Sequence, residues 1–308
     1  MNLTNPKNSL FLYGLDERFD FLSNLYNLEK FPRVLMLSGK KGLGKFTLIN
    51  HFLSYVFDQK NYNLELKKIN SQTLFFKQYL NNVYPTIIHL EGCNFKNVKI
   101  DDIRELKSRI LKSNIFQNKR FILLDDVELF NINSLNALLK IIEEPSSNNH
   151  FILINNKTKS IIRTITSRCL EIKILLSNQT RIKIIESLIE NNKLNPLIDY
   201  KKFDITPGNF CIFNDICEKN NINIDDDFVC SLENILNLYK KNKDVNLINF
   251  IFFLTDIFFH NQIIKKKDKF DKIYEIKNHV ISDINKFIVF NLNQKSFLNS
   301  INNKLSNG

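Results

Sequence analysis

Seven residues constrain this chain more than any other stretch: Gly39-Lys40-Lys41-Gly42-Leu43-Gly44-Lys45, a G-x-x-x-x-G-K run. It follows an apolar run at residues 33–38 (RVLMLS) that reads as a buried strand. It opens Lys45–Phe57, which reads as a helix. Strand, glycine-rich turn and helix in that order make a phosphate-binding loop. Glycines let successive backbone N–H groups curve around phosphate oxygens, and the helix N-terminus adds positive potential. Lys45 is placed to reach the outer phosphates. One position departs from the pattern. A Ser or Thr directly after the lysine ligates magnesium, but here that residue is Phe46, and Thr47 comes one later. One residue along a helix is a rotation of about 100°, so Thr47 does not replace the missing hydroxyl in place. Two readings stay open: phosphate binding with impaired magnesium handling, or a loop shape retained without ligand.

The first half of the chain repeats the alternation. Residues 86–90 (TIIHL), 120–124 (RFILL) and 150–154 read as strands. Residues 101–111 carry Ile103, Leu106 and Ile110 on one side of a helix. Residues 134–142 place Leu135, Leu138, Leu139 and Ile142 on one helical face, which Pro145 stops. Such alternation predicts an α/β fold with a parallel sheet and crossover helices. The third strand ends in Asp125-Asp126. An apolar strand with acids at its carboxyl end suits the metal side of a nucleotide site, although strand-end Asp residues also cap turns. From about residue 175 helical periodicity dominates, broken once at Thr206-Pro207-Gly208. The expected division is a sheet domain over 1–175, a small helical domain over 176–220 and an all-α domain over 221–308.

Composition excludes some classes. The formal net charge of +11 suits polyanion partners or a Lys-rich solvated surface equally. The dense run Lys265-Lys266-Lys267 with Lys269 sits beside Asp268 and Asp271 and reads as solvated. Residues 1–8 are polar, so no secretory leader is expected. The most apolar stretch, residues 250–259, contains Asp256 and falls short of the ~20 residues of a span. A cytoplasmic protein is expected. The five cysteines form no C-x-x-C pair and the five histidines no metal spacing, so neither zinc nor a disulfide framework is expected.

Several blocks together resemble one family. Asn136-Ala137-Leu138-Leu139-Lys140-Ile141-Ile142-Glu143-Glu144-Pro145 is similar to the N-A-L-L-K-x-x-E-E-P run of clamp-loader subunits of bacterial DNA polymerase III. Phe151-Ile152-Leu153-Ile154-Asn155-Asn156 resembles the sensor-1 strand, and Thr164-Ile165-Thr166-Ser167-Arg168-Cys169 resembles T-I-x-S-R-C. Asn5-Pro6, residues 100–106 and Thr206-Pro207-Gly208, which is similar to the S-P-G turn of the lid, agree with them. The resemblance implies an AAA+ P-loop domain, a helical lid and a helical collar. It implies a nucleotide set of Gly39, Gly42, Gly44, Lys45, Thr47, Asp125, Asn155 and Asn156. ATP and magnesium are expected at a degenerate site. Asp126 stands where a Glu polarises the attacking water, and Asp is one methylene shorter.

Within the family, four features resemble delta-prime rather than the hydrolysing gamma/tau type. These are Phe46, the Asp125-Asp126 pair, Asn209 where a sensor-2 Arg often stands, and the presence of Cys93 alone where a zinc module would lie. The end of the chain at residue 308, without a tau-type extension, is read the same way. The resemblance assigns Arg168 the part of an arginine finger acting in trans on a neighbour's nucleotide; taken alone it reads as a surface Arg. The implied partners are gamma/tau and delta subunits in a hetero-oligomeric ring, the sliding clamp and primer-template DNA. An independent ATPase built on Lys45, Asp125, Asp126 and Thr47 is the second reading. An unrelated P-loop kinase leaves the blocks at 136–145 and 167–169 unexplained.

Overall fold

The elements of the first half run α1 (Asp16–Asn27), β1 (Val34–Ser38), α2 (Lys45–Phe57), α3 (Leu74–Leu80), β2 (Ile87–Glu91), α4 (Ile100–Lys112), β3 (Arg120–Asp125), α5 (Ile132–Ile142), β4 (Asn149–Asn155), α6 (Arg163–Thr166), β5 (Leu170–Lys173) and α7 (Asn178–Asn192). They are taken from a computed structural model that describes residues 4–92, 98–112, 119–146, 148–224 and 226–306. Cys93 lies outside the described residues. The five strands form one parallel sheet in the order β2-β3-β4-β1-β5. Every residue of β1 and β4 is buried, as unbroken apolar runs require of strands covered on both faces.

Alternate side chains of each strand serve opposite faces. Leu35, Leu37, Phe121, Leu123 and Ile152 join Phe19, Phe52 and Phe76 of α1, α2 and α3 in one core. Val34, Met36, Ile122, Leu124 and Leu153 join Ile103, Leu106 and Leu138 of α4 and α5 in the other. The parallel register pairs Ser38 with Asn155 and Glu91 with Asp125. The carboxyl ends of β1, β3 and β4 therefore meet at one edge, where ligands of open α/β sheets bind. The parallel sheet and the helical remainder bear out the expected fold class.

The structure adds β5, a four-residue edge strand with an exposed Leu170. It is too short and too polar to show as an apolar run. The Thr206-Pro207-Gly208 break turns out to start a helix, α8 (Pro207–Asn220), in keeping with proline's fit to a first helical turn.

The chain divides into two compact units, Met1–Lys193 with Ile205–Asn209, and Leu194–Asp204 with Phe210–Gly308. The second contains α9 (Phe228–Asn242), α10 (Val245–Lys265), α11 (Phe270–Phe290) and α12 (Gln294–Ser306). Aromatic contacts fill it: Phe213 with Phe250 at 5.2 Å, Phe228 with Phe258 at 4.5 Å and Phe287 with Phe297 at 4.8 Å between ring centroids. The apolar run at 250–259 proves to be part of a longer helix. Among the described residues α10 is the one helix long and apolar enough, by length and composition, to cross a membrane. Phe250, Ile251, Leu254, Ile257 and Phe259 are buried within the unit, and Asp256 pairs with Lys277 of α11 at 2.7 Å.

Candidate nucleotide site

The loop after β1 has the backbone its glycines permit. Gly42 adopts φ +84°, and a Cβ there would lie 2.2 Å from Thr206 Oγ1 and 2.9 Å from the Asn209 nitrogen. Only glycine satisfies both the left-handed backbone and the close approach. The same contact ties residues 205–209 to the loop. Gly208 N–H donates to the Gly42 carbonyl at 2.8 Å, and the Thr206 hydroxyl donates to the Lys41 carbonyl at 2.8 Å. Gly39 and Gly44 also have positive φ. Lys45 begins α2 and is 3% exposed. Its ammonium donates to the carbonyls of Gly39 and Lys40, each at 2.7 Å. Burial lowers its pKa to about 8, opposed by the charges of Asp125, Glu128 and Asp126.

Acids gather opposite the loop. Asp125 Oδ1 accepts the Asp126 N–H at 2.8 Å. Burial, then the charge of Asp126, raises the Asp125 carboxyl to about 7. Asp126 sits in the left-handed region at φ +49° and is held on both oxygens, by the Asn156 amide and by Lys41 at 3.4 Å. Asn156 is held in turn: Glu128 accepts its backbone N–H through both carboxylate oxygens at 3.1 Å and takes the Thr158 hydroxyl at 2.9 Å. Asn155 instead turns its side-chain oxygen to the Lys157 N–H at 2.8 Å.

Phe46 occupies the position that calls for a magnesium-ligating hydroxyl. It is 8% exposed, and its ring centroid lies 5.2 Å from that of His89 on β2. The Nε2 of His89 is buried without a hydrogen-bond partner, and burial, reinforced by Lys7, lowers the His89 pKa to about 4. Thr47 is half-buried at the next position. The cradle therefore fits phosphates: glycines in place, a helix N-terminus and a buried lysine. The donor set does not fit magnesium held by a hydroxyl, because an apolar ring stands there and apolar carbon offers the cation no lone pair. Among the described residues no group of three or more His, Cys, Asp or Glu is arranged to hold a metal ion.

Arg168 joins none of these groups. It follows α6, about a third exposed, with Nη1 donating to the Thr164 carbonyl at 3.1 Å and Nη2 to Glu143 at 2.7 Å.

The structure brings the loop, Asp125, Asp126 and Asn156 of the sequence reading side by side. Sequence reading missed Lys41, Glu128, His89 and Thr206 as their supports. Glu128, two residues beyond the acidic pair, was the one such residue with a visible signal; His89 and Thr206 are adjacent to the loop only through the fold.

A family model described as "DNA polymerase III, delta subunit" matches residues 14–178, just over half of the chain. The chain belongs to this family of clamp-loader subunits. Relatives carry several subunit names. A gamma subunit from Buchnera aphidicola (subsp. Acyrthosiphon pisum) is 27% identical over 161 residues, covering 52% of this chain and 43% of that protein. A delta' subunit from Pseudomonas aeruginosa is 33% identical over 76 residues, covering 25% and 23%. A tau subunit from Bacillus subtilis is 24% identical over 190 residues, covering 61% and 31%. The chain thus spans less than half the length of these relatives. Among solved structures, a gamma subunit-related protein of DNA polymerase III from Thermotoga maritima is 16% identical, covers 91% of this chain and 96% of that one, and has a TM-score of 0.47. The parallel sheet carrying a phosphate loop, with a helical remainder, is the fold class that the motifs implied.

Proposed function

We propose that this chain is a delta-prime-type clamp-loader subunit that acts on a neighbour's nucleotide through Arg168 and does not turn over ATP itself. The observation that carries this reading is Phe46, whose ring packs on His89 where a catalytic loop needs a hydroxyl. Gly39, Gly42, Gly44 and Lys45 hold phosphates when nucleotide is bound, with Asp125 and Asn156 beside them. Magnesium-dependent turnover lacks the hydroxyl ligand at Phe46, for which Thr47 is a poor substitute, and Asp126 is one methylene shorter than the water-polarising Glu. Asn155 supports the loop from its backbone turn.

Arg168 carries the contribution in trans. Its planar, permanently charged fork suits charge that spreads over a transferring phosphoryl group. The partners are gamma/tau and delta subunits in a ring assembled through the 221–308 region, which opens the sliding clamp and loads it at primer-template DNA in the cytoplasm. A groove of about 360 Å³ between α4 and α5 has an apolar floor of Ile103, Ala137 and Ile141, and we assign the Arg104, Lys107 and Lys140 on its rim to DNA phosphates.

The gamma/tau reading has its own support, since gamma and tau relatives reach matches of 161 and 190 residues and delta' relatives matches of 76 to 144. Magnesium-dependent ATP hydrolysis by the isolated chain separates the two. We expect none above background, whereas turnover that Lys45→Ala abolishes sinks the delta-prime assignment. Titration of a labelled ATP analogue, with and without magnesium, then reads binding alone.

A further inference from the structure

We infer that Glu143 is the positioning residue for the Arg168 guanidinium; this rests on the reading of Arg168 as a finger in trans. Glu143 caps the C-terminus of α5 in helical conformation, and its N–H donates to the Leu139 carbonyl. Its carboxylate is thus carried on a helix whose other face, through Leu135, Leu138 and Ile142, is buried against the sheet. Arg168 is equally fixed at its backbone, where its N–H donates to the Ile165 carbonyl at 3.1 Å and Ile165 is fully buried. Two rigid supports therefore face each other across one flexible side chain.

The guanidinium is gripped at both ends of its fork. Nη1 donates to the Thr164 carbonyl at 3.1 Å and Nη2 to Glu143 Oε1 at 2.7 Å. An arginine has five N–H donors in a fixed plane, so this grip leaves donors for an incoming phosphate while fixing the plane that presents them. The side chains of Arg168 and Glu143 are 35% and 56% exposed. An ion pair that open adds little to stability. Its value lies in orientation: an unrestrained arginine spreads over many rotamers, and a reacting group misplaced by about 1 Å loses on the order of 100-fold in rate. Glu143 belongs to the E-E-P run that follows α5, so a sequence block with no assigned chemistry acquires one.

The test is a double-mutant cycle in the assembled loader, reading kcat and KM for ATP with primed DNA and clamp present. We expect Glu143→Ala to lower kcat on the order of 10-fold with KM unchanged. Glu143→Gln, which keeps the acceptor oxygen, should recover most of the rate. In an Arg168→Ala background Glu143→Ala should have no further effect. Urea unfolding of each variant, expected to match wild type, removes misfolding as a cause. If Arg168→Ala slows the loader and Glu143→Ala does not, the positioning role is wrong and the finger survives. Equal losses from Glu143→Ala with and without Arg168 also overturn it. If Arg168→Ala changes nothing, the finger reading falls and takes this inference with it.

Discussion

The Phe46 ring lies 5.2 Å from the His89 ring, tilted by 54°, in the first turn after the phosphate loop. Two residues 43 positions apart thereby close with carbon the place where a metal ligand belongs. Phe46→Ala should cost on the order of 3 kcal/mol, the range for emptying a buried aromatic site, measured by urea unfolding. Phe46→Thr restores the hydroxyl. It should strengthen magnesium-dependent binding of a labelled ATP analogue while binding without magnesium stays as in wild type.

Gly42→Ala should disturb the loop through two effects at once. Its φ of +84° strains any L side chain, and the added methyl meets Thr206 Oγ1 at 2.2 Å. We expect a loss of about 1–3 kcal/mol and faster hydrogen exchange at the Gly208 amide, which bonds to the Gly42 carbonyl. Unchanged exchange there would show that residues 205–209 are not held by this contact.

Asp125 gives the stability curve a pH signature. Its folded pKa is raised to about 7 from 3.8, so the folded state binds the extra proton between those values. Stability from this group is greatest at low pH and falls as pH rises from about 4 to 7. Lys45, lowered to about 8 from 10.5, acts in the other window: stability from it rises between about 8 and 10.5, where the unfolded chain holds the extra proton. Asp125→Asn should flatten the first slope and, by removing a charge that holds the Lys45 pKa up, extend the second to lower pH, as read from urea midpoints across pH.

Glu128→Ala should leave the Asn156 N–H and the Thr158 hydroxyl without their buried acceptor. Thr158 is exposed and its hydroxyl turns to water, so the expected loss is that of one unsatisfied buried group, about 1–3 kcal/mol. The Asn156 amide should lose hydrogen-exchange protection before the amides of β4 that precede it. Glu128→Gln, with one acceptor oxygen retained, should fall between wild type and Ala.

The central strands β1, β3 and β4 were legible to within about a residue because their apolar runs are buried on both faces, and the edge strand β2 was as legible through its buried Ile87 and Ile88. α2 was legible to its ends because its start is the loop itself. β5 was not: its residues are largely exposed and its strand state comes from pairing with β1. The α10 helix was underread for the opposite reason. Asp256 breaks the apolar run in sequence, yet it turns outward to Lys277 and leaves the buried face continuous.

By itself the sequence determined the phosphate loop, the acidic strand end, the S-R-C block and the loss of a hydroxyl at Phe46, because each is a local pattern whose chemistry travels with its spacing. The tertiary structure decided what those residues touch. It set Lys41 and Asn156 on Asp126, Thr206 on the loop, His89 under Phe46 and Glu143 on Arg168. These contacts depend on which strands are neighbours and which ends face one way, and a parallel sheet fixes that only when the whole chain has folded.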